Sequence, residues 1–510
     1  MARCGRSATG RNRLPGRSNR VDDRAVRLPS AAPRTMTAPT EKQLLTLQRM
    51  EMTLVRAVLI KQMFLVPKEY QQLRYLLSFV RLHVFAPGGI DGEPRRADVE
   101  VAQDLVAPLR ERVLKLLYKP LRRELLTEKR LGGAVEALRE LYPALVTARR
   151  QLLRRHQNDF SEAELDAEVG RKALVTIMGG GGGAGYVYIG AAARLRAEQK
   201  ASDYLVGASI GALIGAFLTR SRELDIDAIL AWAKSLKTRD IFAPPHVGAT
   251  HTLPGLMRLH LEGMARHMRH PDGTPLRLKD LEIPYEAVIA GVRKSVYDHM
   301  PATLRELVGA RVRHRSLSRL LAERMLLVGT FFNPKVVKAI VLGRDAATRD
   351  LRVIDAVGLS AAIPAVLQYE PRERDATSDA VLADLRRQYA VALFADGGVA
   401  ANVPARIAWE GVQAGRIGTR NAFFLALDCF HPQFDARHLW LWPVTQAIQL
   451  QLPSQRPYFD WLMRFEPTLS PVNLLPSDAD FERAFRWGWD QADRMMPFLL
   501  KALEPIEWVP

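Results

Sequence analysis

The stretch Gly207-Ala208-Ser209-Ile210-Gly211 is the first place in this sequence where residue types and spacing suggest chemistry. It is a G-x-S-x-G pattern lying directly after the apolar run Tyr204–Gly207 and before a helical run. A serine on a sharp strand-to-helix turn has its hydroxyl pushed out above a sheet, and only flanking glycines let the backbone turn so tightly. The start of the following helix would add partial positive charge where an oxyanion could form. The plainer alternative is a helix start chosen for close packing through Gly207, Gly211 and Gly215.

Two further segments also follow apolar runs. Met178 is succeeded by five glycines, Gly179 to Gly183, then Ala184, Gly185 and Tyr186, before the helical run Val187–Gln199. Successive backbone N–H groups at such a turn can converge on one anion. Three readings compete here. Gly180, Gly182 and Gly185 fit G-x-G-x-x-G with Asp203 downstream, as a dinucleotide site would. A phosphate-binding P-loop is excluded because no Gly-Lys-Ser/Thr follows. The third reading is an oxyanion hole made by Gly180, Gly181 and Gly182 for Ser209. The remaining segment, Phe394-Ala-Asp396-Gly397-Gly398 with Asn402 and Pro404 beyond it, puts a carboxylate at a strand end, where α/β sheets place their sites. Alone, Asp-Gly-Gly is an ordinary turn. Together the segments supply oxyanion donors, a nucleophile and a base.

With these residues in view, the chain resembles the patatin-like phospholipases. The glycine loop matches over Gly180 to Gly185, G-x-S-x-G over Gly207 to Gly211, and Asp-Gly-Gly over Asp396, Gly397 and Gly398, while the Ser-Ala-Ala-Ile-Pro run Ser360–Pro364 gives a fourth match. The likeness covers roughly Leu174 to Asp428. It implies a serine lipid acyl hydrolase with a Ser209–Asp396 dyad, Ser209 the nucleophile and Asp396 the base, acting on acyl lipids without cofactor or metal. One departure stands out: where the family carries a basic residue in the glycine loop, this chain has Ala184. A fold-conserving lipid binder that has lost catalysis is the competing reading.

A dyad needs a carboxylate able to deprotonate a serine, and burial provides it by raising the carboxyl pKa above its usual ~3.9. A Ser-Asp-His triad is the near alternative, since His431 and His438 follow Asp396 in α/β-hydrolase order.

The elements that must position these groups can be read from periodicity. Short apolar runs at Ala173–Met178, Tyr204–Gly207, Ala287–Ala290, Val391–Phe394 and Ala422–Leu427 alternate with helical segments. That rhythm predicts an α/β fold, a three-layer sandwich around a mostly parallel sheet. Three regions follow: a disordered basic tail over 1–40, an all-α N-terminal region over 41–165, and the hydrolase domain over 166–510 with a helical insertion at about 225–350. In the N-terminal region Leu73, Leu76, Leu77, Val80 and Val84 share a face, as do Val106, Leu109, Val113, Leu116 and Leu117. Breaks are expected at Pro67, at Pro87-Gly88-Gly89 and at Gly132-Gly133. These helices read as a cap on the next domain or as a platform that meets membrane.

Composition narrows the class. With 510 residues, 48% of them hydrophobic and 25% charged, the chain can bury a large core and is neither disordered nor disulfide-built. Its two cysteines, Cys4 and Cys429, are too far apart for a disulfide framework and fit a reducing compartment. Lys and Arg exceed Asp and Glu by 73 − 55 = 18. Nine of those arginines fall in residues 1 to 35 against Asp22 and Asp23, which leaves +11 on the remainder. Such charge favours an anionic membrane surface; no nucleic-acid signature is present. The first residues lack the apolar core of a secretory signal, which predicts a cytoplasmic protein, with Met36 an alternative start. Ala173 to Ala193 is 21 residues without a charge, yet seven are glycine, so it reads as strand, loop and helix rather than a membrane span. The uncharged stretch His438–Gln455, with Trp440 and Trp442, reads as a strand edge in the core or as a membrane contact.

Overall fold

Side chains alternate along each apolar run, and that alternation builds a sheet buried on both faces. The computed structural model describes residues 38–60, 65–90, 93–123, 127–223, 226–235, 237–244, 251–300, 328–371, 373–432 and 441–510. The basic tail up to residue 37, Met36, Cys4, His438 and Trp440 lie outside them. Seven strands form the main sheet: β1 (Ala173–Met178), β2 (Tyr204–Ala208), β3 (Tyr285–Arg293), β4 (Val337–Leu342), β5 (Val391–Asp396), β6 (Ala422–Asp428) and β7 (Trp461–Arg464). β7, β6, β1, β2 and β3 run parallel in that order, while β4 and β5 pair with β3 antiparallel.

Leu174, Leu205, Phe423, Leu425 and Leu427 face one side of the sheet and pack in one cluster. Val175, Ile177, Val206, Phe424 and Ala426 face the other. The period of two along each strand therefore closes two cores, one per face.

The N-terminal region is α1 (Glu41–Ile60), α2 (Pro67–Phe79), α3 (Gln103–Leu121), α4 (Glu128–Arg155) and α5 (Glu162–Gly170). Pro67 opens α2 at a position where its missing N–H costs nothing. Leu73, Leu76, Leu77, Val106, Leu109, Val113 and Leu117 meet in a core of this region's own, and Met52 and Val55 of α1 reach into the core beneath the sheet. Gly132-Gly133 does not break the chain as expected, because both residues lie inside α4. Leu131, Ala134, Val135, Leu138, Leu141 and Leu145 make a buried stripe along that helix. Its burial outweighs the roughly 1 kcal/mol that each glycine costs a helix.

The domain's helices include α6 (Val187–Ala197), α7 (Ile210–Thr219), α8 (Ile226–Ser235), α9 (Val353–Ser360), α10 (Ala376–Tyr389), α11 (Gly397–Ala401), α12 (Ala405–Gln413), α13 (Trp442–Gln449) and α14 (Asp478–Leu503). The helical insertion expected over about 225–350 needs correction. It contains β3 and β4, two strands of the main sheet, and the short strands Phe242–Ala243 and Met257–Leu259, which join Leu367–Tyr369 in a small second sheet. The apolar run at Ala287–Ala290 was the visible part of β3; its flanks Tyr285-Glu286 and Val292-Arg293 hid the rest by mixing charge with apolar residues. Residues 245–250 and 301–327 of that interval lie outside the described residues. No helix among the described residues is long and apolar enough to cross a membrane.

Candidate active site

β3 carries the geometry that matters. One of its edges is occupied by β4 along Ala287–Val292. The other edge is shared end to end: β2 pairs with Tyr285–Val288 and β5 with Ile289–Arg293. Because β5 runs against β3, its last residue, Asp396, pairs with Ile289, next to the Val288 that pairs with Ala208. The carboxyl ends of β2 and β5 thus abut, and Ser209 leaves one where Asp396 leaves the other.

Ser209 sits at φ 54°, ψ −126°, a backbone state that costs an L-residue on the order of 1–3 kcal/mol. Glycines make the turn possible. A Cβ on Gly207 would stand 2.6 Å from Gly211 O, and one on Gly211 2.3 Å from Met178 O, because α7 starts hard against the end of β1. On the other side, a Cβ on Gly397 would stand 2.0 Å from Val288 O, and one on Gly185 2.5 Å from the Ile210 side chain. The motif glycines outside the loop are therefore there for close approach.

The segment Ser360–Pro364 holds both candidate residues, a role that its likeness to the family motif did not specify. Ser209 N–H donates to Ser360 Oγ at 3.0 Å, and Ser360 donates in turn to Val288 O at 2.6 Å. Asp396 N–H donates to Ala362 O at 2.8 Å. The one available signal was a serine inside an otherwise apolar run; Ser360 is fully buried and so must find partners.

Gly180, Gly181, Gly182, Ser209, Asp396, Gly398 and Asn402 line a single cavity of about 370 Å³. Gly180 is so close that a Cβ on it would lie 3.0 Å from Ser209 Cβ and 2.7 Å from Asn402 Oδ1. Its N–H, however, already donates to Asn402 O at 3.2 Å, so Gly180 is a wall of the site and not the free donor the sequence suggested. The N–H groups of Gly181 and Gly182 make no hydrogen bond among the described residues. Gly182 takes φ +55°, which glycine alone adopts freely, and carries the chain into the turn that opens α6.

Asp396 is buried, 5% exposed. Its Oδ1 accepts the Gly398 N–H at 2.7 Å and caps α11, while Oδ2 makes no hydrogen bond among the described residues. Burial pushes its carboxyl up to about 6, against the moderating pull of the Ser209 hydroxyl and the Gly398 N–H. Removal from water disfavours the charged form, and no cation among the described residues contributes to the balance.

The other sequence candidates lie elsewhere. His431 Nε2 bonds Phe465 O at 2.7 Å, and among the described residues no histidine lines the cavity. Asp203 accepts the Leu174 N–H at 2.8 Å, at the amino end of β1, far from where a ribose bound on the glycine loop would reach. The described part of His438–Gln455 is helical, with α13 in place of the expected strand edge. Its apolar residues Leu441, Val444 and Ile448 recur at helical spacing and wall the cavity, while Trp442 is 46% exposed.

Residues 176–409 match the patatin-like phospholipase family, a span that includes the glycine loop, the strained serine and the capping aspartate. These residues form a patatin-like phospholipase domain. No curated protein is matched by the chain. Patatin-like phospholipases are lipid acyl hydrolases, and that general activity comes with the domain. Ala184, which the sequence resemblance set against a basic residue, is fully buried in the core.

Proposed function

We propose that this protein hydrolyses acyl lipids through a dyad of Ser209 and Asp396. The observation that supports the reading best is the end-to-end meeting of β2 and β5 along β3, which brings a strained serine and a cation-free carboxylate to one cavity.

Asp396, ionised above a pH of about 6, takes the Ser209 proton as Oγ attacks the acyl carbon. The tetrahedral oxygen gathers charge against the N–H groups of Gly181 and Gly182; losing one such donor typically costs roughly 100- to 1000-fold in rate. Asp396 returns the proton to the leaving alcohol. Water then enters, gives a proton to Asp396 and attacks the acyl-enzyme; as the bond from the acyl carbon to Ser209 Oγ breaks and the acid leaves, Asp396 passes that proton to Oγ. Chain partners fix both ends of the proton path: Ser360 holds the Ser209 backbone, and Gly398 holds Asp396 Oδ1, leaving Oδ2 without a partner to receive it.

Ser209→Ala is expected to lose about 10,000-fold or more of esterase turnover on a short-chain nitrophenyl ester, and all labelling by a fluorophosphonate probe. Full turnover in that variant would sink the nucleophile assignment. Labelling also separates this reading from a lipid binder without catalysis, since only an activated serine reacts.

Contact with an anionic membrane is part of the proposal. Trp442, Leu450 and Val472 are exposed apolar side chains, and Val472 lines the cavity itself. The net charge of +18 would draw the molecule to an acidic surface. Liposome flotation should rise with the fraction of anionic lipid; flotation indifferent to it would remove this contact.

A further inference from the structure

A second cavity, of about 120 Å³, also opens at Ser209. It shares Gly182, Ser209, Phe242, Ile363 and Leu474 with the wider one, so the serine stands where the two join. The narrow chamber runs under α7, whose Leu213, Ile214, Phe217 and Leu218 fall on one helical face and form much of its wall. No charged side chain lines it among the described residues.

The wide chamber is nearly as apolar. Its polar wall groups are Ser209, Thr238, Asn402, Asn473 and the glycine-loop backbone, and its single ionisable side chain among the described residues is Asp396. Asn402 is 2% exposed, and its Nδ2 has no partner among the described residues. A neutral amide donor at that place suits an ester or hydroxyl oxygen. A phosphate there would face a carboxylate and meet no cation on the described wall, and Ala184, buried in the core, supplies none. Taking an anion from water into such surroundings without a counter-charge is strongly unfavourable.

We infer that the narrow chamber receives the acyl chain that Ser209 attacks and the wide chamber an uncharged remainder, so that neutral acyl esters of the acylglycerol type are the substrates, in preference to phospholipids. This rests on Ser209 being the nucleophile.

The test compares fatty-acid release by the full-length protein from dioctanoylglycerol, dioctanoylphosphatidylcholine and dioctanoylphosphatidylglycerol, each at the same mole fraction in one detergent micelle. Release from the diacylglycerol is expected to be at least tenfold faster than from either phospholipid; a smaller margin, or the reverse order, overturns the assignment. Leu213→Trp, which fills the narrow chamber, should lower the ratio of dodecanoyl to butanoyl nitrophenyl ester turnover at least tenfold. An unchanged ratio overturns it too. Should that variant not fold, Leu213→Phe is read in the same way, and the wild-type comparison needs no variant. Ser209→Ala run beside them separates the failures. If it still hydrolyses every substrate, the dyad itself is wrong; if it is dead while phospholipid is preferred, only the substrate class is.

Discussion

Two buried carboxylates sit at opposite ends of the main sheet, and they have been treated in opposite ways. Asp396, at the carboxyl end of β5, has no cation among the described residues acting on it and is pushed up to about 6 by burial. Glu51 of α1 is fully buried beside Lys172 and Asn421, which immediately precede β1 and β6 at their amino ends. Burial alone would push Glu51 up as well, but Lys172 at 2.9 Å, Arg81 at 2.9 Å and Arg74 at 3.3 Å overturn that and hold it at about 2. Desolvation is common to both sites, so cations make the difference. Supplied at one end, they turn a buried carboxylate into a clamp between the N-terminal helices and the sheet. Withheld at the other, they leave a carboxyl raised in the way the proposed base would need.

The sharpest way to break this contrast is Glu51→Gln, which leaves Arg74, Arg81 and Lys172 without their shared anion. Unfolding free energy is expected to fall by about 3–5 kcal/mol, read from denaturant titration at neutral pH. Since the folded pKa of Glu51 lies below its ordinary value of 4.5, the stability it contributes is full above that pH and is lost as pH falls toward about 2. A neutral effect would mean the cluster stabilises no more than an uncharged one.

Asp396→Asn should do the reverse. A carboxyl raised from 3.8 to about 6 makes the ionised form destabilising, a loss that begins as pH rises past its ordinary value and is complete above about 6. Removing the charge is therefore expected to raise stability by about 3 kcal/mol at pH 8 and by little at pH 4, while abolishing esterase turnover. Equal stabilisation at both pH values would rule out burial of charge as the cause.

Gly180→Ala probes the packing at the same end. The new methyl would collide with Asn402 Oδ1 and press on Ser209 Cβ, and a displacement of that kind is expected to cost about 100-fold in kcat/KM with the fold intact by circular dichroism. The mildest test uses no mutation. Below a pH of about 6, kcat/KM should fall tenfold per unit as Asp396 is protonated, while Glu51 stays ionised until well below 4.5. Protein held between the two limits should be folded, inactive and fully recoverable on returning to neutral pH. Activity that stays flat through pH 6 would show that Asp396 is not the base.

Much of this was legible in the sequence because it is local. G-x-S-x-G announces its turn by composition, and the strands β1, β2, β5 and β6 appear as uninterrupted apolar runs since both faces are buried. What stayed hidden depends on distant pairing. The reach of β3 was obscured by Glu286 and Arg293; Glu286 is buried and answered by Arg344 at 2.7 Å, a partner no window of sequence could reveal. Gly180 was read as a donor together with Gly181 and Gly182 from the glycine loop, and only the fold shows its N–H spent on Asn402 O. Ser360–Pro364 was visible as a motif match but its task was not, since its hydrogen bonds go to distant strands, and Gly132-Gly133 broke a local rule that tertiary burial overrode.

The abutment of β2 and β5 on a single strand has a mechanical corollary. With Val288 and Ile289 serving as a common ruler, the serine and the aspartate ride on adjacent peptide units, so a tilt or breathing of the sheet carries both together. The connections between them, apart from β3, β4 and the Ser360–Pro364 segment, can lengthen, shorten or change sequence without altering their separation. Tolerance to insertion there, and intolerance to any substitution that shifts the register of β3, is the pattern such a shared support imposes on the chain's future variation.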